Sequence, residues 1–196
     1  IQGKNTNDNG RVAIFECHSD GTITLKELVE VGVQPDMIVY THDDSQILTA
    51  NEGEPRDGYE QLDPNGTISV IDAKTYTVKN VGFEKYDSDN EKAKLIEKGV
   101  ILKKGSKPSQ DFEPEYIAVT DSKAYITLQE NNAIAVLDLK TQTIDHVFSA
   151  GYEDYSQVSV DINKKDEKYE AKTYASLRGI RMPDALAVYT IDGVDY

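Results

Sequence analysis

The chain has 196 residues, of which 38% are hydrophobic, and this is enough apolar material for the core of one domain or two. Its formal net charge of −14 argues against a nucleic-acid partner, because a protein that binds phosphates presents a basic face. A lone cysteine, Cys17, excludes an internal disulfide framework, and no apolar run approaches the roughly 20 residues of a membrane span. The negative net charge makes cations better candidate ligands than anions.

The first predicted elements are two strands within residues 10–33. They are joined by a turn that contains Asp20 and Gly21, a pair that favours a β-hairpin. The opening segment GRVAIFE at 10–16 also matches GTISVID at 66–72. By this alignment the two strands are the third and fourth strands of a four-stranded unit.

A repeat organises the rest of the chain. PDMIVYT at 35–41, PEYIAVT at 114–120 and PDALAVYT at 183–190 share a proline, a carboxylate and an apolar strand, and GTISVIDAKTYTV at 66–78 matches NAIAVLDLKTQTI at 132–144. Such repeats are typical of a propeller, because each unit needs neighbours to cover its apolar faces. We therefore predict an all-β fold, a partial β-propeller of four-stranded antiparallel blades with short helical insertions.

The repeat divides the chain, as part of one propeller domain, into blades and insertions. In chain order we predict the last strands of one blade at 10–33, a blade at 36–83, an insertion at 84–113, a blade at 115–149, an insertion at 150–182 and the start of the next blade at 183–196. Within the first insertion, Ser88 or Asp89 is the predicted N-cap of a short helix, and Gly99 is its stop signal.

The long connections are predicted to lie on one face of the propeller. In an antiparallel four-stranded blade, the connection from strand two to strand three and the connection to the next blade leave on the same side. The insertions at 53–65, 84–113 and 150–182 are all of this kind, whereas the opposite side has tight turns. Because elaborated loops on a rigid scaffold usually carry function, we expect the site on this face.

Carboxylates at the strand ends on this face are candidate metal ligands. Each repeated proline is followed by an acid and the second strands also run into one, which gives the set Asp36, Glu52, Glu115, Glu130 and Asp184. They could ring the mouth of the channel and bind Ca²⁺, a hard cation that takes six to eight oxygen ligands. The alternative is a structural role, in which they accept hydrogen bonds from loop backbone or pair with arginines.

The densest polar cluster is the loop that follows the second strand of the first blade. The predicted ligand-binding face combines this loop with two acids of the second blade: Asn51, Glu52, Glu54, Arg56, Asp57, Glu115 and Glu130. The glycine and proline of the loop also make it a good turn, so a purely structural role stays open. No HExxH, Cys/His cluster or GxSxG motif is present, and no catalytic residue is assigned.

Four segments carry a family resemblance: ANEGEPR at 50–56, DPNGTISVID at 63–72, DFEPEYIAVT at 111–120 and AYITLQENNAIAVLDL at 124–139. In this order they resemble the choice-of-anchor I family of exported bacterial surface propellers. That family is akin to mesenchyme-specific cell-surface glycoproteins, and its members are often labelled alkaline phosphatases. The resemblance implies a secreted or wall-attached protein whose propeller is longer than this chain.

From these observations we expect an extracellular binding or scaffold module with an acidic loop face. Its expected partner is a surface protein or a carbohydrate, with Ca²⁺ as the candidate ion. The alternative is a metal-dependent phosphoesterase, in which clustered carboxylates hold ions that orient a water molecule. Open blade edges also predict contacts with the remainder of a propeller, or self-association.

Overall fold

The computed structural model of the protein describes residues 1–56, 62–163 and 165–196. Its helices are α1 (Asp89–Glu97) and α2 (Pro108–Asp111), preceded by a 3-10 turn at Glu84–Tyr86. The strands are β1 (Asn9–Cys17), β2 (Ile23–Val33), β3 (Pro35–Tyr40), β4 (Gln46–Asn51), β5 (Thr67–Asp72), β6 (Val78–Val81), β7 (Pro114–Val119), β8 (Lys123–Leu128), β9 (Ala133–Asp138), β10 (Thr143–Ser149), β11 (Tyr152–Asp154), β12 (Arg178–Ile180), β13 (Thr190–Ile191) and β14 (Val194–Asp195).

Two complete four-stranded antiparallel blades form the centre of the structure. The first blade has the strand order β3-β4-β5-β6, and the second has the order β7-β8-β9-β10. Strands β1 and β2 form a hairpin, and β11-β12 and β13-β14 form two further small sheets. The predicted fold class, a partial propeller of four-stranded blades, is confirmed. The assignment of the whole chain to one domain stays a prediction.

The hydrophobic core lies between neighbouring blades. Ile68 and Val70 of β5 belong to the buried cluster that includes Leu137 of the second blade. Ile71 of the same strand belongs instead to the cluster that includes Val12 of the β1-β2 hairpin. Because successive side chains of a strand point to opposite faces, each sheet is packed on both sides. This explains why β4 and β5 are buried along nearly their whole length.

A close contact recurs where one blade meets the next. A Cβ atom on Gly10 would lie 2.3 Å from Cδ of Pro35. A Cβ atom on Gly66, the equivalent residue of the first blade, would lie 1.9 Å from the carbonyl oxygen of Phe112 and 2.7 Å from Cδ of Pro114. Glycine is therefore required at the start of the third strand, because the backbone around the next repeated proline packs directly on it.

Asn132 takes the place of this glycine in the second blade. Its Oδ1 accepts hydrogen bonds from the backbone N–H groups of Arg181 and Met182, both at 3.2 Å. These donors immediately precede Pro183, the third repeated proline. The same junction is thus made by a glycine contact in the first blade and by a side-chain hydrogen bond in the second.

The turns between the third and fourth strands are built in the same way in both blades. Oδ1 of Asp72 accepts hydrogen bonds from the backbone N–H and the hydroxyl of Thr75, at 2.7 and 2.9 Å. Asp138 and Thr141 make the same two bonds at the same distances. These bonds lower the pKa of both aspartates, because they favour the ionised carboxylate. The repeated DxKTxT pattern is therefore a turn signal.

The first insertion contains the predicted helix. The N-cap of α1 is Ser88, whose hydroxyl accepts a hydrogen bond from the backbone N–H of Glu91 at 3.3 Å. Leu95 is the buried side chain of this helix. Gly99 has a φ of +91°, a conformation that glycine adopts readily after a helix, and it ends the element as predicted.

The prediction is wrong for the inner strand of the third repeat. Residues 183–189, which align with β3 and β7, have no regular secondary structure, and only β13 and β14 form near the end of the segment. In both complete blades the innermost strand pairs with a second strand of its own blade. Among the described strands, none takes this position beside 183–189, so the local sequence has no ladder to join.

Candidate functional site

Acidic side chains from several elements meet on the face that carries the long loops. They come from the starts of β3 and β7, from the loops that follow β4 and β8, and from the segment after the second insertion. We call this group the acidic face: Asp36, Glu52, Glu54, Glu113, Glu115, Glu130 and Asp184. These elements lie together because strands one and two of neighbouring blades contact each other at the centre of the propeller.

Glu52 lies where β4 ends and is largely shielded from solvent. Burial, followed by the charges of Glu54 and Asp36, raises the pKa of its carboxyl. Arg56 opposes this effect: its guanidinium lies 3.7 Å from Glu52 and 3.0 Å from Glu54. The loop therefore carries its own counter-ion, but one guanidinium serves two carboxylates.

Glu115 connects the two sides of the acidic face. Burial raises its pKa to about 7, and the charges of Glu130, Glu52, Asp184 and Asp36 add to the effect in that order. The other four predicted metal-ligand residues are thus close enough to Glu115 for their negative charges to raise its pKa.

Gln129 lies between two of these acids. With its amide nitrogen turned toward them, it donates hydrogen bonds to Oε2 of Glu115 at 2.7 Å and to Oδ1 of Asp184 at 3.3 Å. This neutral donor stabilises the two carboxylates without cancelling their charge. Sequence reasoning did not single it out, because a glutamine before Glu130 has no distinctive spacing.

Glu113 is the acid that sequence reasoning missed. Its side chain is only 7% exposed and, within the part of the chain that the structure describes, it makes no hydrogen bond or ion pair. Burial raises its pKa to about 8, and the other contributions come from Glu130, Glu52, Glu54 and Asp111. The sequence prediction used only the acid that follows each repeated proline, whereas Glu113 is the acid that precedes Pro114.

Asn51 lies inside the first blade, and its side chain is not on the acidic face. Its amide donates to the hydroxyls of Ser69 at 2.8 Å and Thr67 at 3.1 Å, and its carbonyl oxygen accepts from Thr49 at 2.9 Å. The side chain is fully buried. Asn51 therefore fixes the end of β4, from which the Glu52 loop leaves, and its amide is not available to a ligand.

Replacing this asparagine should destabilise the fold. Asn51→Ala removes the acceptor of the buried Thr49 hydroxyl and the donor to Ser69 and Thr67, so we expect a loss of about 2–4 kcal/mol in the free energy of unfolding. Asn65→Ala, at an exposed asparagine whose amide contacts Glu84 at 3.2 Å, is the matched control and should cost far less. Urea unfolding followed by circular dichroism measures both, and equal losses would contradict a structural role for Asn51.

One residue of the predicted ligand-binding face, Asp57, lies outside the described residues. The described acidic residues can be examined for a metal site. Across residues 1–56, 62–163 and 165–196, no three His, Cys, Asp or Glu side chains are grouped closely enough to hold a metal ion. The described carboxylates are thus near one another without converging on one point, and they do not fit a preformed Ca²⁺ site. Calcium binding and phosphoesterase activity stay predictions.

None of the described helices is both long enough and apolar enough to cross a membrane. The longest of them, α1, is a short surface helix of nine residues in the first insertion.

The blades and the acidic loop ends define the chain as a partial β-propeller with an acidic face. A family model for the choice-of-anchor I domain matches residues 1–196. The chain belongs to this family, and the resemblance seen in its sequence is confirmed. Membership indicates a surface-associated bacterial protein. A search of curated proteins finds no match.

Solved structures offer distant similarities in shape. Hydrazine synthase of Kuenenia stuttgartiensis is 15% identical over 63% of this chain and 27% of its own, with a TM-score of 0.36. A functionally unknown protein from Desulfotomaculum acetoxidans is 15% identical over 70% of this chain and 35% of its own, with a TM-score of 0.40. The chain thus spans about a third or less of these structures, and likeness at this level carries no functional argument.

Proposed function

We propose that the chain is a binding module in which the acidic face holds a cationic segment of a surface protein. The observation that carries the proposal is the crowding of carboxylates around Glu115, whose pKa is raised to about 7 by burial and by the negative charges of its neighbours. Arg56 is shared between two of them, and among the described residues no lysine, arginine or histidine forms an ion pair with the others. A ligand that brings positive charge relieves this repulsion, because opposite charges within a few ångströms stabilise ionised carboxylates.

Lysine or arginine side chains suit this arrangement better than a single metal ion. The described carboxylates do not converge in a group of three, whereas Ca²⁺ needs six to eight oxygens around one point. Several ammonium or guanidinium groups on one peptide can each pair with a different carboxylate. A neutral carbohydrate supplies no compensating charge, so it gains nothing from the feature that distinguishes this face.

The same arrangement predicts how binding responds to salt. A face of one sign attracts an oppositely charged partner at long range and speeds its association, and this attraction weakens as the Debye length shortens. The net charge of −14 over the whole chain acts in the same direction. Binding through this face is therefore expected to weaken steeply as salt is added.

Calorimetric titration with a tetralysine peptide tests the proposal. We expect the double variant Glu52→Gln/Glu130→Gln to bind at least about 10-fold more weakly than the wild type, which corresponds to about 1.4 kcal/mol. The matched control is Asp44→Asn/Asp121→Asn, which removes the same charge from the tight turns at the opposite ends of the strands. This control should bind like the wild type.

The outcomes separate the candidate ligands. Equal weakening in both double variants would mean that only net charge matters and would contradict a site on the acidic face. Binding of Ca²⁺ alone, lost in Glu52→Gln/Glu130→Gln, together with no binding of tetralysine, would replace the proposal with the calcium site predicted from the sequence.

A further inference from the structure

We infer that the cationic segment held by the acidic face is residues 92–107 of a second copy of this chain, and that two copies associate face to face about a two-fold axis. This inference rests on the proposed function and names its partner. Residues 92–107, called here the basic segment, comprise the second part of α1 and the loop that leads to α2. Each copy thus supplies one basic segment and one acidic face to the dimer.

The basic segment has the opposite charge to the rest of the chain. Its sequence is KAKLIEKGVILKKGSK, in which six lysines and one glutamate give a formal charge of +5, whereas the whole chain carries −14. The lysines are Lys92, Lys94, Lys98, Lys103, Lys104 and Lys107. A segment of this charge complements the acidic face, because each ammonium group can pair with a different carboxylate.

Several ammonium groups of the basic segment are available to another molecule. Lys98, Lys104 and Lys107 are exposed, and among the described residues they form no ion pair. Lys94 pairs with Glu91 of the same helix, at 2.5 Å. The positive charge of this segment is therefore not consumed by the acidic face of its own copy.

The basic segment adjoins the acidic face on the same side of the propeller. The backbone N–H of Ile101 donates to the carbonyl oxygen of Asn131 at 2.9 Å, and the side-chain amide of Asn131 donates to the carbonyl oxygen of Ile101 at 3.0 Å. Asn131 directly follows Glu130 of the acidic face. The ammonium of Lys92 donates to the carbonyl oxygen of Ser106 and holds the loop against α1. The two oppositely charged surfaces therefore lie side by side.

Two adjacent surfaces of opposite charge are complementary to themselves under a two-fold rotation. When two copies face each other, this rotation brings each basic segment over the acidic face of the other copy, so both contacts form together. Such an interface closes at two copies. The net charge of −14 on each copy opposes association at long range, but a Debye length of about 8 Å at physiological salt limits the interaction mainly to the facing groups.

A buried residue at the base of the acidic face independently indicates a ligand. Glu113 is 7% exposed and has no hydrogen-bond or ion-pair partner among the described residues, and the nearby charges of Glu130 and Glu52 have the same sign as its own carboxylate. Buried polar groups in native structures rarely lack a partner, because an unpaired one costs free energy. An ammonium group of the second copy supplies the partner that is missing within one copy.

Sedimentation equilibrium of the purified chain at about 0.15 M salt tests the inference. The wild type should dimerise reversibly. Lys98→Glu/Lys104→Glu, the basic-segment variant, should dimerise at least about 10-fold more weakly, because attraction at both symmetric contacts becomes repulsion. Lys74→Glu/Lys140→Glu makes the same change of charge in the tight turns on the opposite side, and this control should dimerise like the wild type.

A charge exchange between two variants identifies the facing surfaces. Glu130→Lys/Asp184→Lys, which inverts charge on the acidic face, should also dimerise weakly on its own. Mixed with the basic-segment variant, it should form a one-to-one heterodimer, because opposite charges again meet at both contacts. The matched control, Asp44→Lys/Asp121→Lys, carries the same added charge on the opposite side and should form far less of this heterodimer.

The outcomes separate the partner from the proposed function. A wild-type chain that stays monomeric at about 0.5 mM, while tetralysine still binds the acidic face, would overturn the second copy as partner and leave the proposed function standing. Equal dimerisation of the wild type and the basic-segment variant would also overturn the inference and would assign self-association to the open blade edges. Absence of both tetralysine binding and the mixed heterodimer would overturn the inference and the proposed function together.

Discussion

Wild-type protein should lose on the order of 3 kcal/mol in its free energy of unfolding between about pH 5 and pH 9, and Glu113→Gln should remove most of that loss. The pKa of Glu113 is raised from 4.5 to about 8 in the folded protein. The folded state therefore binds more protons than the unfolded state in this window. The stabilisation is fully present below the unfolded pKa and disappears as pH rises through the folded pKa.

Urea unfolding at a series of pH values measures this prediction. The Glu113→Gln variant should match the wild type at the acidic end and exceed its stability at the alkaline end, because its amide needs no proton to stay neutral. Glu97→Gln, at an exposed glutamate of α1, controls for the loss of one negative charge and should follow the wild-type curve. Parallel curves for Glu113→Gln and the wild type would contradict a protonated Glu113.

The second large effect is expected at the junction between the blades. Gly66→Ala would place a Cβ atom 1.9 Å from the carbonyl oxygen of Phe112, so the backbone of one of the two segments must move. Overpacking of a close-packed interior costs about 1–3 kcal/mol, and a clash with backbone lies at the upper end or beyond. We therefore expect a loss of at least about 3 kcal/mol and a clearly lower Tm.

Gly82→Ala is the matched control for this substitution. Its Cβ atom would meet the carboxylate oxygen of Glu84 at 2.4 Å, and this flexible side chain can turn away. Thermal unfolding followed by circular dichroism should place Gly82→Ala near the wild type and Gly66→Ala far below it. Similar Tm values for the two variants would show that the glycine contact does not hold the blades together.

The blades could be predicted because their signals are local. The repeated proline with its acid marks the start of each inner strand, and the turn built by Asp72 and Thr75 recurs with Asp138 and Thr141. Such features depend on residues a few positions apart, so they can be read from one sequence. The side of the propeller that carries the long loops followed from strand order alone.

Burial at the site could not be predicted in the same way. Asn51 is polar and lies in a polar loop sequence, yet it is fully buried because hydroxyls on β4 and β5 bond its amide. Glu113 is buried by the packing of segments distant in sequence, and its electrostatic partners come from two blades. These properties arise from contacts between repeats, which spacing within one repeat does not reveal.

The third repeat shows that a local sequence match can fail to form the predicted strand. Its motif matches β3 and β7, but residues 183–189 form no strand where no described partner strand pairs with them. Strand propensity is weak without a ladder, since cross-strand pairs supply most of the stabilisation. A matching sequence therefore predicts the potential for a strand and not the strand itself.

Chemical-shift mapping of tetralysine on the ¹⁵N-labelled protein tests the central claim most directly. Binding to the acidic face should shift the amide resonances of residues 52–54, 113–115 and 129–131 and of Asp184, and added salt should reverse the shifts. Resonances of the turns at 42–45 and 121–123 should stay in place. Shifts confined to those turns or to the first insertion, or no shifts at all, would contradict a cation-binding acidic face.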